Sequence, residues 1–289
     1  MRNKRLKFFL NYYRFIIKIS HLITVPLWIV MILLIVCGQA LFGIILGIVG
    51  TIIVTYLYMN AKKKIKILLS DNVISAVVKE TFGDSAKYYP NGRVIPGPMA
   101  FPFSYDTVRG GDRIKAVYNG LNIELSDVEL KNERAANSKE PNAGIFFRGQ
   151  WLICDVGKEL SGEVFISANE RNGKRCLKSD VTMNNKEFND CFSVKARVPE
   201  EAYHMLTPHM MEYILEMAHK ANGQVYMAFL RNGKIHIAVH NNYDIFALSE
   251  TKADYETLHQ KFLGELRWFV DVVDALPLED TLYKKEINV

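Results

Sequence analysis

LITVPLWIVMILLIVCGQALFGIILGIVGTIIVTYLYM, the run from Leu22 to Met59, holds no Asp, Glu, Lys, Arg or His in 38 residues. A bilayer core of roughly 30 Å needs about 20 helical residues to cross it. One straight helix over the whole run would measure about 57 Å at about 1.5 Å per residue, too long even when tilted. Two crossings joined by a very tight turn fit. Gly38-Gln39 is the polar break near the middle, which places helices at about Ile19 to Cys37 and Ala40 to Met59. Pro26 lies inside the first, where membrane helices tolerate it. Thr24, Thr51 and Thr55 can return their hydroxyls to their own helix.

The flanks agree with the length. Arg2, Lys4, Arg5, Lys7, Arg14 and Lys18 precede the run, and Lys62, Lys63, Lys64 and Lys66 follow it. The first acidic residue is Asp71. Positive charge beside membrane segments stays on the cytoplasmic side, so both flanks belong inside and the number of crossings is even. A cleavable signal peptide has an apolar stretch of about 7–15 residues, much shorter than this one. A lipoprotein acceptor at Cys37 would want a small residue before it, and Val36 is not small.

Charge divides the chain. Setting aside those ten flanking bases leaves 26 basic residues of 36 against 31 acidic ones. The basic pI near 8.8 therefore belongs to the anchor, and a nucleic-acid partner is excluded, because such a domain carries its basic excess on the folded part. The bases suit anionic lipid headgroups, and Phe8, Phe9, Tyr12, Tyr13 and Phe15 among them read as an interfacial segment over 1–18. Gly43, Gly47 and Gly50 make a small-residue face. It can pack within the hairpin or against a membrane protein partner, including a second copy of the chain. Cys37, Cys154, Cys176 and Cys191 lack the short spacings of a zinc or redox motif and read as free thiols.

The rest reads as an amphipathic stalk over 60–83, a Pro/Gly-rich linker over 84–111, an α+β domain over 112–276 and a tail over 277–289. In the stalk Ile65, Leu68, Leu69, Val73, Ile74, Val77 and Val78 recur at helical spacing, and Gly83 ends it. The linker aromatics Tyr88, Tyr89, Phe101, Phe103 and Tyr105 are expected to pin it to the domain. Asn119-Gly120 and Asn232-Gly233 are hairpin turns, between strands at Ile114 to Tyr118 and Leu121 to Val128, and at Val225 to Leu230 and Ile235 to His240. Further strands are expected at about Ile145 to Val156, Gly162 to Ala168, Phe192 to Val198 and Asp244 to Leu248. A loop is read at Lys131 to Asn142 and a turn at Arg171 to Lys174. Pro199 opens a helix that Pro208 bends or splits and Gly223 ends. A last helix starts after Ser249 or Thr251, carries Leu258, Phe262, Leu266, Phe269, Val270 and Val273 as its apolar stripe, and stops at Pro277. Hairpins followed by a packed helix are similar in element order to PH-like or GRAM-like modules.

Several motifs resemble a bacterial membrane family, domain-of-unknown-function family 3137. They are Gly111-Asp112-Arg113-Ile114; Phe188-x-x-x-Phe192-x-Val194; Leu206-Thr207-Pro208-x-x-Met211; Ile235-x-Ile237-Ala238-Val239; and Asp244-x-Phe246. The resemblance spans roughly Ile65 to Leu276 and departs at Ala116, where glycine is expected. It implies two membrane helices before a cytoplasmic domain, hence an inner-membrane protein with both termini inside. It implies no catalytic residues.

The residues name no reaction. His236 and His240 share a strand face, but four residues of strand hold them about 13 Å apart, too far to share one metal. His204 and His209 fit one helix face poorly. Cys191 lies in an apolar context. Gly110-Gly111-Asp112 precedes a strand and lacks the helix of a phosphate loop. Asp106 and Asp112 flank that turn and read as its caps before they read as a cation site. Asp271 and Asp274 sit near a helix C-terminus and should face solvent. No catalytic, cofactor or metal residue is assigned. The expected function is a membrane-anchored binding or scaffolding module that recruits a protein or lipid. The alternatives are an enzyme assembled in the fold, examined first around Asp112, His236 and His240, and a pore or transport subunit, which the lack of ionisable residues in the run argues against.

Overall fold

The computed structural model describes residues 2–134, 144–169, 177–247, 255–276 and 282–283. The turn at Arg171, Cys176, the start proposed for the last helix and most of the tail lie outside them. The chain divides into two compact units, Met1–Ala76 with Ser249–Lys261, and Val77–Leu248 with Phe262–Val289.

The first unit is built on an apolar helix pair. Helix α1 runs Arg2–Val36 through Pro26, and α2 runs Ala40–Leu69. Both are long and apolar enough to cross a membrane. Between them Gly38 takes φ +82°, with Gly38 N–H donating to Ile35 O and Gln39 N–H to Leu34 O. This left-handed closure suits glycine. The glycine face is taken up by α1: a Cβ on Gly47 would strike Met31 and one on Gly50 would strike Leu27. Gly43, Gly47 and Gly50 thus serve packing within the hairpin. Thr24 and Thr51 donate to Ser20 O and Gly47 O four residues back, at 2.8 and 2.7 Å. Beyond the charge-free run, α2 continues as a π-turn, Ser70–Ile74, and then α3, Ser75–Phe82. Ala61, Ile65, Leu69 and Val73 are buried at every fourth position. Gly83 ends this helical stretch at φ +85°.

The second unit is α+β, built on one antiparallel sheet of eight strands. They are β1 Lys87–Tyr89, β2 Thr107–Tyr118, β3 Leu121–Lys131, β4 Ile145–Asp155, β5 Val164–Ala168, β6 Phe192–Ala196, β7 Gln224–Phe229 and β8 Lys234–His240, in the order β1-β2-β3-β4-β8-β7-β5-β6. Between them lie α4 Lys186–Cys191, α5 Pro199–Met205 and α6 Pro208–Lys220, and α7 Tyr255–Ala275 follows. Pro208 does split the expected helix: Leu206 ends one piece, and Thr207 caps the next, accepting from Met210 N–H. Three readings need correction. β1 and the first half of β2 come from the segment read as linker. Residues 244–247 form a turn, with Ala247 N–H donating to Asp244 O, and no strand. In α7 the buried stripe takes Val272 in place of Val270.

Alternation gives the sheet two different faces. The register of β3, β4, β8 and β7 puts Ser126, Trp151, Ala238 and Tyr226 on one face. The strap before β2 lies on it: Val94 N–H donates to Ser126 Oγ at 3.0 Å, and Phe101 contacts Phe147, Trp151 and Tyr226. Phe101 thus pins the strap, as expected of the linker aromatics. The other face carries Leu125, Asp127, Gln150 and Leu152 and meets the helices. There Phe246 packs edge-on against Phe262 of α7, and the Tyr213 hydroxyl of α6 donates to Val272 O at 2.7 Å.

Candidate functional site

A charged side chain stands on the helix-facing side of β3, where Ile123 and Leu125 precede it. This is Asp127. Next to it β2 slips register between Gly111 and Ile114. Gly110 passes so close to β3 that a Cβ would lie 2.1 Å from Asp127 O. The bulge forces Asp112 to φ +58°, a conformation that Asp tolerates better than most residues. It turns the Asp112 carboxylate under the sheet, where the Tyr88 hydroxyl of β1 donates to it. Asp244, after β8, completes the group. Each of the three acids offers an oxygen, all within 4.8 Å of one another.

Donors surround Asp127. Its Oδ1 accepts from Gln150 Nε2 at 3.0 Å, and its Oδ2 accepts from Ile245 N–H at 3.1 Å. Gln150, itself buried, also donates to Tyr243 O at 2.7 Å and accepts from Asn241 Nδ2 at 2.8 Å. The five residues after β8 are therefore fastened to β3 and β4 by a closed polar network. Burial, and then the Asp244 charge, push the Asp127 carboxyl well above the ordinary range; the two donors oppose this and are overcome. Burial and then the Asp112 charge raise the Tyr88 phenol. Such a rise is what burial and a second carboxylate close by produce. Three carboxylate oxygens at this spacing could also hold a hard cation. The donors already on Asp127 make the group a latch first.

The residues proposed for catalysis do not converge. Asp112 lies with the latch on the helix-facing side. His236 and His240 lie on the other face, in register with Ile153 and Gly149. Under the strap, His236 Nδ1 accepts from Trp151 Nε1 at 3.0 Å, and a Cβ on Gly97 would lie 2.6 Å from its ring. Burial holds its pKa down to about 4, so it is neutral. His240 Nδ1 accepts from Arg148 N–H at 3.0 Å, and its ring tilts on Phe147. Asp106 caps no turn at Gly110-Gly111, which is strand; its Oδ1 accepts from Glu133 N–H, just past β3, and from Thr107 Oγ1. Asp271 and Asp274 are exposed. Cys154 is buried, its thiol pushed up to about 12 by that burial; burial also raises Cys191. Asp127 was missed, though a carboxylate in phase with Ile123 and Leu125 was a readable signal. Asp244 was noticed as a motif and not as a partner.

Residues 145–278 match the family described as "Protein of unknown function (DUF3137)". The match covers a little less than half of the chain and supports membership of this family over that segment. The match takes in β4 through α7, including Gln150 and Asp244, and leaves out Asp112 and Asp127. No curated protein matches the chain. Among solved structures, a likeness is found to the mycobacterial trehalose monomycolate transport factor A, TtfA. It has 11% identity and a TM-score of 0.31, and covers 60% of this chain and 76% of that one. At that score the likeness carries no argument about function.

Proposed function

We propose that this chain is a membrane-anchored binding or scaffolding module. In this reading the helix pair spans a bacterial inner membrane twice, both termini are cytoplasmic, and the α+β unit recruits a protein or lipid partner at the membrane. The observation that carries it is the charge-free run folded as a tight hairpin, with ten bases and no acid flanking its open end. The dispersal of Asp112, His236 and His240 over two sheet faces favours a binding role over the enzyme first considered. PH-like modules remain an analogy of element order.

The test is site-specific photocrosslinking in intact cells. Crosslinker would be placed at exposed positions of the α+β unit, such as Val117, Tyr203 and Phe146. One position set giving a reproducible protein or lipid adduct, lost when that face is mutated, supports the module. Uniform absence of adducts, with no lipid binding by the full chain, would sink it.

A further inference from the structure

The first 17 residues of α1 precede the expected membrane segment, yet they continue the same helix without a break. Leu6 and Leu10 turn inward and are buried, like Ala61, Ile65 and Leu69 of α2. Their inward phase leaves the large rings outside: Phe8, Phe9, Tyr12 and Phe15 are 66%, 43%, 51% and 60% exposed. Lys4, Arg5, Lys7 and Lys18 are exposed among them, and Lys62, Lys63 and Lys64 are exposed on α2. Lys4 with Phe8 and Arg5 with Phe9 are spaced to meet on one helix surface, and these four residues line a shallow concavity.

Water has no use for four exposed rings on four turns of helix. Charge decides what covers them. The charged side chains of α1 and of α2 up to Lys66 are all basic, and no acid precedes Asp71. The headgroup layer of an anionic leaflet takes both components, rings at the interface and bases on phosphate. Length allows it. The 35 residues of α1 span about 52 Å at about 1.5 Å each, against about 40–45 Å for a bilayer with its headgroups. At a tilt of about 35°, inside the range membrane helices adopt, the stretch from Phe8 to Phe15 rises only about 9 Å along the membrane normal, comparable to one headgroup layer. We propose that the exposed face of residues 4–18 of α1 binds anionic lipid, its rings and bases reaching the headgroup layer, and is not a stalk standing in water. The inference rests on the membrane reading of the hairpin.

The experiment uses the full chain in nanodiscs of phosphatidylcholine, or of phosphatidylcholine with 30% phosphatidylglycerol. Phe8→Trp and Phe15→Trp report depth, with the parent's emission subtracted. In anionic discs both new tryptophans should emit to the blue and be quenched by lipid brominated near the headgroup. Quenching at residue 8 should be at least two-fold stronger than in neutral discs and should fall with salt. K4Q, R5Q and K7Q together should abolish that difference without changing helicity. Iodide quenching of Phe8→Trp equal to that of a water-exposed tryptophan in both discs would overturn the proposal. So would energy transfer showing that a second copy covers this face. Trp28 separates the two failures: if acyl-chain bromines quench it while residue 8 stays wet, the anchor stands and this surface falls. If Trp28 is also unquenched, both fall.

Discussion

Gly97→Ala puts one methyl group where the structure has no room for it. The added Cβ would lie 2.6 Å from His236 Cε1 and 2.7 Å from Nε2. Neither side can yield cheaply, because His236 is 3% exposed and tied to Trp151, while the strap is held by Val94 and Phe101. Overpacking of this kind costs about 1–3 kcal/mol. Losing the Trp151–His236 hydrogen bond adds about 0.5–1.5 kcal/mol if the ring is displaced. For a unit of this size, 1 kcal/mol moves the Tm by about 2–4 °C, so a fall of about 3–18 °C is expected in detergent, followed by Trp fluorescence. Gly264→Ala is the control. It sits in α7 with nothing within 4 Å of its added Cβ, and should gain about 0.8–1 kcal/mol from helix propensity. The reasoning about the strap is refuted if the two substitutions shift the Tm in the same direction.

Three further outcomes follow from the same geometry. His236 has its pKa lowered from 6.5 to about 4, so the unfolded chain binds the extra proton first. Its contribution is whole above pH 6.5 and is lost as pH falls towards 4, up to about 3 kcal/mol. Denaturant melts from pH 7 to 4.5 should show that slope, and His236→Gln, which keeps an acceptor for Trp151, should flatten it. Asp127 runs the other way: its folded pKa is raised, so ionisation costs stability as pH rises above its ordinary 3.8. Asp127→Asn should therefore match or exceed the parent at pH 8, with the advantage shrinking towards pH 4, whereas Gln150→Leu, which strips donors from Asp127 and Tyr243 O, should cost about 1–3 kcal/mol. Finally, Gly47→Ile should push α1 and α2 apart at Met31, seen as a lower Tm in detergent and easier proteolysis of the hairpin.

Local chemistry made much of the fold legible. Asn119 and Gly120 take φ +48° and +78°, as the hairpin turn they announce requires, and Gly233 takes +79° in the second. Pro208 after Thr207 is the helix break that its missing N–H and the Thr cap together dictate. The 38-residue run could be read because length and charge act over a whole segment. The losses have a common cause. β1 is three residues long, too short for alternation to register. The first half of β2 runs through Gly110 and Gly111, which look like loop until β3 lies beside them. The segment at 244–247 has apolar residues suited to a strand, but its Ile245 N–H is claimed by Asp127. The latch joins positions 88, 112, 127, 150 and 244, and no periodicity within one element relates them.

The anchor is the claim on which the rest stands, and topology in intact cells tests it most directly. A fluorescent reporter fused after Val289 should light in the cytoplasm. Gln39→Cys in the hairpin turn should react with a membrane-impermeant maleimide added outside, while Lys63→Cys should react only after lysis. A dark reporter, or Lys63→Cys labelled from outside, would contradict a two-pass hairpin with both ends inside.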